Sequence, residues 1–154
     1  MTTQQTTRTR TNGQIKSYPV ARQLATPTDL SQQAVQAITG ALNPLIADAF
    51  ALYVKTKNFH WHLAGSHFRD YHLLFDEHAD QIFASIDILA ERVRRVGGTT
   101  IRSIGHIGQL QTIEDDNNEF VPASEMLRRL MDDNATIAKA QRAAHEVCEH
   151  HHDV

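Results

Sequence analysis

The chain has 154 residues, enough for one domain with a real core, and its 41% hydrophobic and 21% charged content is ordinary for a globular protein. A net charge of −3 argues against the folded body attracting nucleic acid as a whole, and the single cysteine, Cys148, cannot form an internal disulfide, which suits a reducing cytosol. No run approaches about eighteen consecutive apolar residues and no charged-then-apolar leader opens the chain, so neither a membrane span nor secretion is expected. Residues 1–28 are rich in Thr and Gln, contain Arg8, Arg10, Lys16 and Arg22, and carry no acid. They read as a disordered, weakly basic arm ahead of a helical domain over 29–154. Asp29 with Gln32 forms a plausible capping box for a first helix from about 30 to 61, along which Val35, Ile38, Leu42, Leu45, Ala49 and Tyr53 recur at helical spacing. Gly40 and Pro44 should weaken and kink its early part. After a short turn at Leu63-Ala64-Gly65, Ser66 can cap a second helix from about 67 to 96, which Gly97-Gly98 ends. A long connection over 99–121, with a short helix around 101–107, leads to Pro122 and a further helix to about 150.

No strand-like alternation and no internal repeat is present. A helical hairpin followed by a long crossover is the ferritin-like way of building a four-helix bundle, here with three long helices, so the expected fold class is all-α. The first and second helices carry the chemistry. His72 and Asp76 are four positions apart, as are Asp87 and Glu91, so each pair lies on one helical face. The two pairs are separated by roughly 22 Å along one helix axis and cannot share a metal within one chain. An antiparallel copy of the same helix, crossing near residues 81 and 82, would bring 72/76 of one chain opposite 87/91 of the other. That arithmetic points to a metal site split across a two-fold dimer, with an isologous contact.

On a helical wheel with His72 at zero, Asp76, Asp80, Asp87 and Glu91 fall at about 40°, 80°, 60° and 100°, beside the apolar stripe and not within it. Acids alone in this position usually mark a solvated face. Phe83, at about 20° inside the acidic stripe, is odd for solvent and natural for a subunit contact, and His60 stands ready at the end of the preceding helix. Two imidazoles with three carboxylates suit Fe, Mn or Zn better than Ca or Mg, and spacing does not choose between iron and zinc. Glu149-x-x-His152 occurs once, at the end, so the usual dinuclear site within one bundle is not encoded.

The run Lys57-Asn58-Phe59-His60-Trp61-His62-Leu63-Ala64-Gly65, followed by Phe68, His72, Leu74-Phe75-Asp76, Asp87 and Ala90-Glu91-Arg92, strongly resembles the Dps family, the mini-ferritins or DNA-binding proteins from starved cells. The likeness covers roughly residues 30–150. It implies a bacterial cytoplasmic, nucleoid-associated protein that assembles as a hollow homododecamer and oxidises Fe(II), preferentially with hydrogen peroxide and otherwise with oxygen. The ferric product would be stored as mineral and DNA protected from oxidative damage. The resemblance also implies a ferroxidase centre between two-fold-related subunits, holding two irons: His60, His72 and Asp76 from one subunit, Asp87 and Glu91 from its partner. Asp87 and Glu91 would provide the main carboxylate hold, Asp76 would assist, and His60 and His72 would complete the shell; zinc is the expected competitor. Asp132 matches an acid lining the family's three-fold iron-entry pore. The arm residues Arg8, Arg10, Lys16 and Arg22 imply non-specific, salt-sensitive DNA binding that gains from twelve arms on one cage. The family's fourth helix follows the position where this sequence stops, and lacking its apolar face should cost an assembled cage several kcal/mol per subunit. An alternative reading is a DNA-compacting nucleoid protein with a vestigial metal site, and a third is a redox-silent zinc scaffold.

Overall fold

The computed structural model describes residues 24–153; the arm residues Arg8, Arg10, Lys16 and Arg22 lie outside the described residues. Those described form an all-α bundle of four helices with no strand: α1 (Gln32–His62), α2 (Phe68–Arg95), α3 (Ile104–Leu110) and α4 (Ala123–His150). α1 is the central element. It packs along α2, on α4 and under the short α3, while the backbones of α2 and α4 stay further apart.

Local chemistry explains most boundaries and corrects three expected ones. α1 is capped by Ser31, not by Asp29: the Ser31 Oγ accepts from the Ala34 N–H at 3.1 Å, and Asp29 lies two positions too early to reach it. The helix then runs unbroken through Gly40 and Pro44. Ser66 does not cap α2. His67 takes that position in the left-handed region, φ 64°, without a side-chain cap, and its carbonyl accepts from Tyr71 at 3.1 Å. The crossover helix begins three residues later than expected, because Ser103 supplies the cap: its Oγ accepts from His106 at 3.1 Å. The Gly97-Gly98 stop is as expected and is a Schellman closure. Gly97, at φ 98°, donates to Arg94 O at 3.1 Å, and Gly98 to Val93 O at 2.9 Å.

Two apolar clusters share α1 as their common wall. One joins Ile38, Leu42 and Ile46 to Ile86, Val93 and Ala144; the other joins Leu52 and Phe59 to Phe75, Met126 and Leu130. α1 is also, by length and composition, apolar enough to cross a membrane, which counting consecutive apolar residues had not indicated. Its burial is against protein, however. The buried Asp48 accepts from Thr112 N, Thr112 Oγ1 and Ile113 N at 2.5, 2.9 and 3.0 Å, and the buried Lys55 pairs with Asp133 at 2.6 Å. With Asn43 donating to Thr99 O and Asn58 to Asp116 O, these polar residues tie the long crossover and α4 to the apolar helix. Such tethers fix α1 against the crossover and α4, and α1 with α2 carries the site.

Candidate metal centre

Phe59 and Phe75, 1% and 0% exposed, pin the end of α1 against the start of α2 and thereby bring His60 beside His72. The two imidazoles are locked reciprocally. His60 Nδ1 lies 3.0 Å from His72 O, and His72 Nδ1 lies 3.1 Å from His60 O. A backbone carbonyl only accepts, so each Nδ1 carries its proton and donates it. The Nε2 lone pair of each ring is then left free as a metal donor, the arrangement a histidine ligand requires. The rings stack with centroids 3.7 Å apart, and Phe68 covers the other side of His72 at 4.9 Å. Asp76 lies beside them: its Oδ1 is 3.9 Å from His60 Nε2 and 2.6 Å from Lys57 Nζ. The hydrogen bond from Lys57 holds the Asp76 carboxyl below its ordinary value, against a smaller opposing effect of burial, and the same bond raises the lysine.

Asp87 and Glu91 lie further along α2, both exposed. Glu91 is paired with Arg95 one turn on. Asp87 sits at the edge of an open cleft of about 750 Å³, lined mostly by apolar groups including Phe50, Phe83, Ala90, Ile101 and Ile104. Among the described residues of one chain, no group of three or more His, Cys, Asp or Glu side chains is arranged to hold a metal ion. Asp132 is exposed and paired with Arg128 at 2.6 Å, and Arg128 also grips Glu125. Trp61 is 65% exposed.

The chain has known relatives. Residues 39–154 match the ferritin-like domain family. Over 113 residues the chain is 34% identical to an uncharacterised low temperature-induced protein of Nostoc, covering 73% of this chain and 63% of that protein. Over 124 residues it is 29% identical to DNA protection during starvation protein 1 of Deinococcus radiodurans, covering 80% and 60% respectively. The chain thus spans less than two thirds of the length of these two relatives. The solved Dps protein of Vibrio cholerae, described as one of a broad superfamily of ferritin-like diiron-carboxylate proteins, superposes with TM-score 0.78 at 25% identity, covering 84% of this chain and 81% of that one. The chain belongs to the Dps family.

In this Dps chain, the hairpin brings His60, His72 and Asp76 together and leaves Asp87 and Glu91 as a separate acidic pair. Sequence reasoning missed Lys57 as a member of the first group. The signal was available, since Lys57 lies three positions before His60, on the same helical face, inside the very run that carries the resemblance. It also missed Asp48 as the anchor of the crossover. Nothing local marks that role, because its three donors lie sixty-four and sixty-five positions away.

Proposed function

We propose that this chain is the subunit of an iron-oxidising and iron-storing Dps protein whose metal centre is shared by two copies related by a two-fold axis. The observation that carries the reading is the reciprocal locking of His60 and His72, which commits both Nδ1 atoms to backbone carbonyls and leaves both Nε2 atoms for metal. Imidazoles kept only for packing would have no need of free Nε2 atoms beside a carboxylate. The half-site is one-sided: three donors on one hairpin end, and two more carboxylates roughly 22 Å along the axis of α2. Antiparallel pairing of two α2 helices supplies what each half lacks. An exposed apolar surface on the same face supports that pairing. Phe83 is 55% and Ile104 82% exposed, both beside the cleft that Asp87 borders, and Phe83 rests on Tyr53 at 5.1 Å.

Fe(II) is the substrate. Asp87 and Glu91 of one subunit would give the main hold, Asp76 of the other would assist, and His60 and His72 would complete the shell. Two irons held together allow a two-electron reduction of the oxidant: 2 Fe²⁺ + H₂O₂ + 2 H⁺ → 2 Fe³⁺ + 2 H₂O. No hydroxyl radical is released in that balance. Oxygen is the alternative oxidant, zinc the competing ion, and a twelve-subunit cage in the bacterial cytoplasm the setting in which ferric product is stored. The test is anaerobic Fe(II) oxidation on adding peroxide, comparing the native chain with Asp87→Ala/Glu91→Ala. The expected result is fast oxidation that falls at least about a hundredfold in the double variant, roughly 2.7 kcal/mol of barrier. If both proteins merely match the protein-free control, the ferroxidase reading is wrong.

The name of the Deinococcus relative, DNA protection during starvation protein 1, supports a second component in which the arm residues Arg8, Arg10, Lys16 and Arg22 bind DNA without sequence preference. Deleting residues 1–28 separates it from the alternative of a DNA-compacting protein with a vestigial metal site. The ferroxidase reading expects undiminished iron oxidation with loss of salt-sensitive DNA binding. The alternative expects no iron oxidation in either form.

A further inference from the structure

Lys57 is not among the proposed ligands, yet it occupies the carboxylate of one of them. Its Nζ lies 2.6 Å from Asp76 Oδ1, and the lysine side chain is only 17% exposed. The contact crosses from α1 to α2 between residues nineteen positions apart, unlike the Glu91–Arg95 pair, which spans one turn of a single helix with both side chains more than half exposed. A divalent ion that takes Asp76 therefore meets a carboxylate already held by a cation, and the two positive centres repel across so short a distance. The displaced ammonium has an alternative site. Lys57 Nζ already lies 6.0 Å from the centroid of the exposed Trp61 ring, close enough for a small swing of its flexible stem to place it over the aromatic face.

We propose that Lys57 is a built-in counter-ion of the Asp76 half-site, with which a divalent metal must compete in order to bind there. The inference rests on the two-subunit reading above and deepens it. Lys57 is a positioning residue: it keeps Asp76 oriented and neutralised while the metal is absent, and it weakens metal binding at that half by competition. Arg95, held to Glu91 by an exposed pair within one helix, has a much smaller effect, because such pairs are worth little.

Zinc is a suitable redox-silent probe, titrated calorimetrically into the full chain, with Asp87→Ala/Glu91→Ala defining background binding by other histidines such as His150–His152. Lys57→Gln should bind zinc about two- to fivefold tighter than the native chain, the range that loss of a partly shielded ion pair corresponds to. Lys57→Arg, which keeps the charge, should stay at native affinity, and Arg95→Gln should shift it less than about twofold. Structural damage would weaken binding, so a gain in affinity discriminates a counter-ion from a packing role. If Lys57→Gln binds zinc no more tightly than the native chain while the Asp87/Glu91 variant loses binding, the counter-ion role is overturned and the shared site stands. If native and Asp87/Glu91 variant proteins bind zinc alike, the shared site falls and this inference with it.

Discussion

Asp48 is 2% exposed, and its carboxylate receives two backbone N–H groups and one hydroxyl from Thr112 and Ile113. Asp48→Ala would strip partners from two backbone donors, one of them fully buried, at ~1–3 kcal/mol each. An overall loss of about 3 kcal/mol in urea unfolding is expected, with the crossover over 99–121 the first segment to gain hydrogen exchange. A loss under about 0.5 kcal/mol, the ordinary range for a surface change, would show that the contacts are incidental. Glu125 offers a pH test. Hydrogen bonds from Arg128 and Arg129 hold its carboxyl down at about 2, against an ordinary value of 4.5. A folded value below the unfolded one means the ionised form is favoured in the native state. The contribution is therefore complete above about pH 4.5 and is lost as pH falls from there through about 2. The difference in urea midpoint between the native chain and Glu125→Gln should be constant near neutrality and shrink steadily below pH 4.5. A difference that does not change with acidification would show that the charged network contributes nothing through Glu125.

At the scale of elements, the end of α2 packs closely on α1. A Cβ built on Gly98 would lie 2.1 Å from Thr39 Oγ1 and 3.1 Å from Val93 O. Helix α1 approaches the turn so closely there that an added methyl group would force Thr39 to move. Gly98→Ala should cost about 1–3 kcal/mol, the usual penalty for forcing an extra methyl into a packed region. Thr39→Ala removes the atom in conflict and should recover part of that loss, so the two changes ought to be non-additive in a double-mutant cycle. Strict additivity would place the strain elsewhere. This junction also shows where local reading of the sequence stops. The Gly97-Gly98 stop was legible because a left-handed residue after a helix needs glycine wherever it occurs. The close approach of Thr39 was not, because fifty-nine positions separate it from Gly98 and only packing brings them together. Ser31 and His67 displaced the expected caps for a related reason: which of several polar residues caps a helix depends on where the chain enters it, and tertiary contacts set that path.

For the molecule as a whole, the prediction concerns association. The face carrying Phe83, Ile104 and the cleft beside Asp87 is too apolar to be left in water at no cost. Phe83→Glu should convert a self-associating chain to monomers in sedimentation velocity while leaving its helix content unchanged, and iron oxidation should fall with it. Unaltered association would mean that copies meet through another face and that the two halves of the centre are not joined this way. What the sequence alone determined follows from periodicity and spacing: an all-α fold, three long helices around a crossover, and His72/Asp76 and Asp87/Glu91 as two pairs too far apart for one metal. These are properties of a helix, and a helix has fixed rise and turn. Tertiary structure alone decided that His60 and His72 lock each other's tautomers, that Asp48 holds the crossover, and that Lys57 sits on the Asp76 carboxylate. Each of these joins residues on different elements, and their distances are set by how Phe59 packs on Phe75 and how α1 lies in the bundle, which no local rule of spacing contains.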